Sequence, residues 1–150
     1  MVAKPNEPRL REEVEVLLEA YQSQLDAAAA HGEGEYSRAF DESAPGMGAH
    51  EIDAHKLYRR VGRGALAILG YRAEQLLGRP VFEFIVMSET AQRSIDKKLT
   101  GAVELKPFVR SFIRADGSSI TMLLLDRHLR DAQGRIVGIR TVFAPIKLEG

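Results

Sequence analysis

Apolar positions recur with a helical period over residues 7–30, EPRLREEVEVLLEAYQSQLDAAAA. Leu10, Val14, Leu17, Tyr21, Gln24 and Ala28 alternate steps of four and three, and Leu18 and Leu25 widen that seam. Arg11, Glu12, Glu13, Glu15, Glu19 and Asp26 lie outside it and predict a solvated face. Roughly three heptads are too few for a free-standing helix, so this one is expected to pack on something. Residues 31–48, HGEGEYSRAFDESAPGMG, are glycine-rich and poor in aliphatics. They read as a linker with one local helical turn around Tyr36–Phe40.

The pattern changes from Ala49 onward. Short strands are expected at Glu51–Ile52 and Leu57–Val61, then short helices at Gly64–Leu69, Ala73–Leu77 and from Pro80 to Ile85. A longer helix, SETAQRSIDKKLTG, is expected to be capped by Ser88 and stopped by Gly101, with Ala91, Ile95 and Leu99 on one face. The remainder reads as strand: Phe108–Arg114, Ile120–Leu129 and Ile136–Phe143. Asp116-Gly117 and the Asp131–Gly134 turn join these runs, so they are expected to be antiparallel neighbours. The boundaries are a helical extension at 1–30, a linker at 31–48 and a domain at 49–147.

Composition narrows the chemistry. The 150 residues contain no cysteine, which excludes disulfides, thiol catalysis and cysteine-ligated metals. The 21 basic residues balance 21 acidic ones, so no global field draws in nucleic acid or an anionic membrane. Met1 to Arg11 is polar and no apolar run is long enough to span a bilayer, which points to a cytoplasmic protein. Gly62-x-Gly64-x-x-Ala67 has the spacing of a dinucleotide fingerprint, but Gly70 stops the following helix after two turns. In HEIDAH the histidines, His50 and His55, are five apart and would diverge on a helix, so a solvated strand and turn is the better reading than a metal site. His31 and His128 read as surface residues.

The runs ALAILGYRAEQLLGRPVFEFI and FIRADGSSITMLLLDRHLRDAQGRIVGIRTVFAPI resemble the PAS family of sensor domains. Gly70, Tyr71, Leu76, Gly78, Asp116, Gly117, Asp131 and Gly134 carry the resemblance, which covers about Ala49 to Ile146. It implies an α+β fold: a five-stranded antiparallel sheet with short helices on one face around a ligand-sized cavity, plus the N-terminal helix. The function it implies is a non-catalytic, homodimeric sensor that regulates a kinase, cyclase or transcription output.

Haem-binding members of the family carry a ligating histidine on the long helix, and Ser88–Thr100 has none. Flavin photosensors use a cysteine and amide side chains, where this chain has Phe112, Met122 and Phe143. Neither cofactor is expected. Ile85, Ile95, Leu99, Phe112, Met122, Leu124 and Phe143 are expected to line the cavity and either fill it or hold a small apolar ligand. If Met122 and Leu124 point inward, Leu123 and Leu125 point outward with Val109, Ile113 and Val142. A sheet apolar on both faces needs a second cover, from the same chain or a partner. The expected dimer interface is Leu10, Val14, Leu17, Tyr21, Leu123 and Leu125. The alternative is a small cone-shaped α+β enzyme for an apolar substrate, with Asp126, His128 and Arg110 as the candidate acid–base groups.

Overall fold

The computed structural model describes residues 8–147. Helix α1 (Arg11–Ala29) and helix α2 (Glu33–Asp41) precede strands β1 (Gly48–Asp53) and β2 (Tyr58–Val61). Helices α3 (Arg63–Leu69) and α4 (Ala73–Leu76), a 3₁₀ turn (Val81–Phe84) and helix α5 (Ser88–Leu99) follow. Strands β3 (Phe108–Ile113), β4 (Ser119–Arg130) and β5 (Ile136–Pro145) complete the fold. The five strands form one antiparallel sheet in the order β2-β1-β5-β4-β3. Among the described residues, no helix is long and apolar enough to cross a membrane.

Each hairpin turn is tied by an aspartate, whose short side chain accepts backbone N–H bonds from residues just ahead. Asp53 accepts from His55 and Leu57, Asp116 from Ser118, and Asp131 from Gln133 and Arg135. The expected Asp-Gly hairpin joins β3 to β4, with Gly117 at φ 88°.

The sheet separates two cores. Alternate residues of β4 and β5 supply Met122, Leu124, Ile139 and Phe143 to an inner core beneath α3, α4 and α5. They also supply Leu123, Leu125, Val142 and Ala144 to an outer core beneath α1 and α2. The outer cover therefore comes from the same chain.

Four expectations change. The stretch read as a linker contains α2, whose Tyr36 and Phe40 are buried in the outer core; the short spacing hid a nine-residue helix with a single apolar stripe. Helix α1 starts at Arg11, and Glu7, its expected first residue, lies outside the described residues. Its buried face is Val14, Leu18, Tyr21, Gln22 and Leu25, rotated from the expected seam: Leu10 is 42% exposed and Leu17 only partly buried. Ser88 is the first helical residue of α5, and the cap position falls on Met87 at φ 62°, with no side-chain cap bond.

Glycine matters where α2 and its exit loop press on α3. A Cβ at Gly62 would lie 2.6 Å from the Phe40 carbonyl oxygen, and one at Gly64 would lie 2.0 Å from that of Met47. The Gly-x-Gly spacing thus reflects close backbone approach rather than phosphate binding.

Candidate functional site

The inner face of the sheet carries a polar row. Strand register sets His50 opposite Thr141, and Thr141 opposite Asp126. The Thr141 hydroxyl donates to Asp126 Oδ1 at 2.6 Å, and Lys98 of α5 donates to Oδ2 at 2.8 Å. Both oxygens of this buried carboxylate are thus engaged, the condition under which a charge is tolerated inside a protein. Burial pulls the Lys98 ammonium below its ordinary range, opposed by Asp126. Arg110 on β3 is lowered by burial in the same way, again opposed by Asp126. The Phe108 ring lies against both cations, 3.4 Å from Lys98 Nζ and 4.7 Å from the Arg110 guanidinium carbon.

His50 is the exception to this satisfaction. It is buried against Tyr58 and Phe143, with ring centroids 5.1 and 5.4 Å away, and its Nδ1 has no hydrogen-bond partner. The Tyr58 hydroxyl is likewise unpartnered and lies in the same core. Burial pushes the imidazole down to about 4, against the pull of nearby Asp126 and with help from Arg110. His50, Arg110, Asp126 and Thr141 border a cavity of about 20 Å³ with Ile85 and Ile95. That volume holds about one water molecule.

Of the residues expected to bind ligand, Ile85, Ile95, Phe112 and Leu124 line this cavity. Met122 and Phe143 belong to the same packed core, and Leu99 packs at its margin. Together they pack the described interior down to that gap, and a third of the residues that wall it are polar. Among the described residues, no group of three or more metal-ligating side chains comes together, at HEIDAH or elsewhere. The solvated-strand reading fails, because His50 and Glu51 are both buried, on opposite faces of β1. The signal that could have placed His50 was its alternation with Ile52, an inner-core residue. Asp126 and Arg110 do converge, while His128 is partly buried and donates from Nε2 to the Lys98 carbonyl at 2.8 Å.

A second polar row lies on the outer face. Arg60, Glu51, Arg140 and Arg127 stand side by side across β2, β1, β5 and β4. A β-bulge between Glu51 and Ile52 leaves Arg59 as the extra residue of β2, so two consecutive arginines reach Glu51, at 3.2 and 3.6 Å. Tyr36 of α2 donates its hydroxyl to the same carboxylate. Gln22 of α1 donates to the carbonyls of Leu125 (2.8 Å) and Arg140 (3.1 Å), and its own Oε1 accepts from Arg140 Nε at 2.7 Å. Arg140 also pairs with Asp26.

Of the residues expected at a dimer interface, Leu10 is 42% exposed and Leu17 partly buried. Val14, Tyr21, Leu123 and Leu125 are buried within the chain's own outer core, where Tyr21 also donates to the Phe40 carbonyl. They present nothing to a second copy while α1 is docked.

The two rows are back to back. His50-Glu51, Arg140-Thr141 and Asp126-Arg127 are consecutive pairs, one member facing in and the other out.

A family model described as the PAS fold matches residues 53–146, more than half of the chain. The PAS domain of an HTR-like protein from Haloarcula marismortui is similar at 20% identity and TM-score 0.62, covering 85% of this chain and 99% of that one. Drosophila melanogaster Cycle PAS-B with bound ethylene glycol is similar at 15% identity and TM-score 0.58, covering 66% and 99%. The dark structure of the blue-light photoreceptor Aureochrome1 LOV is similar at 26% identity and TM-score 0.56, covering 67% and 75%. Comparison with curated proteins returns no match.

Proposed function

The chain belongs to the PAS family of sensor and signalling modules, and we propose that it relays a signal from the inner polar row to the α1–α2 cover. The observation that carries this reading is the pairing of inner and outer polar residues on three adjacent strands. The input would be a small polar ligand rather than the apolar one that the expected lining residues allowed. The support is chemical: His50, whose Nδ1 is unpartnered, borders a gap that is also walled by Arg110, Asp126 and Thr141. Cycle PAS-B, similar in fold, holds ethylene glycol, a small polar molecule. A flavin or haem would need the packed inner core to open far beyond 20 Å³.

The output would be the docking state of α1 and α2. Buried polar anchors such as Gln22 and Arg140 fix one register of docking, and they regain water when the helices lift. A second copy, or a kinase, cyclase or transcription partner in the cytoplasm, would meet the exposed side of α1, where Val16 is 70% exposed. Convergence of His50 with Asp126 at the same gap keeps an enzyme as the second reading.

Hydrogen exchange on Thr141→Val tests the relay. The substitution removes one inner hydrogen bond with little change of shape. Exchange in α1 and α2 should rise by about threefold to tenfold, the size of one net hydrogen bond. Unchanged protection of both helices would overturn the relay.

A further inference from the structure

The outer row ends in a cleft of about 270 Å³ whose walls include Arg59, Arg60, Arg130, Arg140, Glu33 and Glu51. Positive charge exceeds negative there. Glu51 is saturated by Arg59, Arg60 and the Tyr36 hydroxyl. Arg140 is held by Gln22 and Asp26. Arg130 makes a hydrogen bond to the Gly134 carbonyl at 2.8 Å and is otherwise exposed. Four guanidinium groups thus meet two carboxylates in the cleft and one behind it, at Asp26. Of the cleft carboxylates, Glu33 reaches Arg60 from a side chain that is 73% exposed, so it is free to swing away.

We propose that this cleft, on the opposite side of the sheet from the inner cavity, binds a small oxyanion, a carboxylate or a phosphate. Arg59, Arg60 and Arg130 grip it, and Glu33 is the chain's own competitor for Arg60. Guanidinium groups suit this task because their planar fork matches two oxygens of such an anion. The bulge in β2 is what brings Arg59 onto the same side as Arg60. A bound anion would tie β2 to the β4–β5 hairpin under the start of α2 and so hold the outer cover down. That consequence rests on the relay proposed above; the site itself does not.

The test is calorimetric titration of the full chain with inorganic phosphate and, separately, with malonate, at ionic strength fixed by chloride. One saturable site is expected for at least one probe, and the probe that binds assigns phosphate or carboxylate. Arg59→Gln and Arg130→Gln, both at exposed positions, should each weaken binding by about tenfold, the loss of one charge-assisted contact. Glu33→Gln should tighten it severalfold, because the internal competitor is gone. Circular dichroism checks that each variant is folded. The site is overturned by no saturable binding of either probe, by affinities that the arginine variants leave unmoved, or by a Glu33→Gln variant that fails to bind more tightly.

Discussion

The inner and outer faces of the sheet are built from the same strands, and both bury charge, yet they treat it differently. On the outer face Gln22, Arg140 and Glu51 are buried and fully hydrogen-bonded. On the inner face Asp126 is satisfied, while His50 Nδ1 and the Tyr58 hydroxyl, the two unpartnered buried side-chain atoms among the described residues, are not. An unmet polar atom in a packed core destabilises it by about 1–3 kcal/mol. The outer face therefore looks finished, a lock for one docking register. The inner face holds a group still short of its partner, the mark of a site.

The largest expected effect separates the two rows by what each deletion strands. Asp126→Ala leaves the Lys98 ammonium, whose side chain is 12% exposed, without its counter-charge. That loss should reach about 3–5 kcal/mol in urea unfolding. Arg140→Met keeps the bulk of the outer anchor, strands Asp26, which is half exposed and rehydrates, and leaves the buried Gln22 Oε1 without its donor. Its loss should be about 1–3 kcal/mol. Equal losses would mean that the outer row is as embedded as the inner one, and the contrast between a core and a removable cover would fail.

A finer cut uses neighbours on one strand. Leu124→Ala opens the inner core and Leu123→Ala the outer, each expected to lower stability by about 2–5 kcal/mol. Hydrogen exchange distinguishes them: Leu123→Ala should deprotect α1 and α2 while β1 and β5 stay protected, and Leu124→Ala should deprotect the whole sheet together. Identical exchange patterns would make the two cores one cooperative unit with no separable cover.

Much of this was legible in the sequence, for identifiable reasons. The strands β3, β4 and β5 carried period-two alternation and aspartate-glycine turns, both of which report local geometry. Leu123 and Leu125 were correctly placed on the outer face by the same alternation. The α1 seam included Val14, Leu18, Tyr21 and Leu25 but missed Gln22, because hydrophobic periodicity weights a buried, hydrogen-bonded glutamine as solvent-facing. Its burial depends on the Leu125 and Arg140 carbonyls, about a hundred residues away. His50 and Glu51 were hidden for the same reason. On a strand covered on both faces, alternation no longer separates inside from outside, and polar residues on either face look like surface. Whether the interior is filled stayed open in the sequence because a set of apolar lining residues fixes neither their packing nor the volume left between them.

The remaining expected effect is conditional on pH and tests whether the unmet inner group is real. Folding holds His50 at about 4, against about 6.5 for an unfolded histidine. Between those values the unfolded chain takes up a proton that the folded chain refuses, so stability rises with pH across the window. The contribution is fully present above pH 6.5 and is lost as pH falls toward 4. The imidazole faces Asp126 and Arg110, and burial outweighs both. The loss should amount to about 3 kcal/mol at pH 4 relative to pH 7. His50→Gln keeps a polar side chain of similar reach and does not titrate. Its stability should therefore fall less steeply than that of the parent between pH 6.5 and 4, with the carboxylates contributing equally to both curves. Parallel curves would mean that His50 finds a partner on protonation. The inner row would then be as complete as the outer, and the difference between the faces would have to be sought in the helices that cover them.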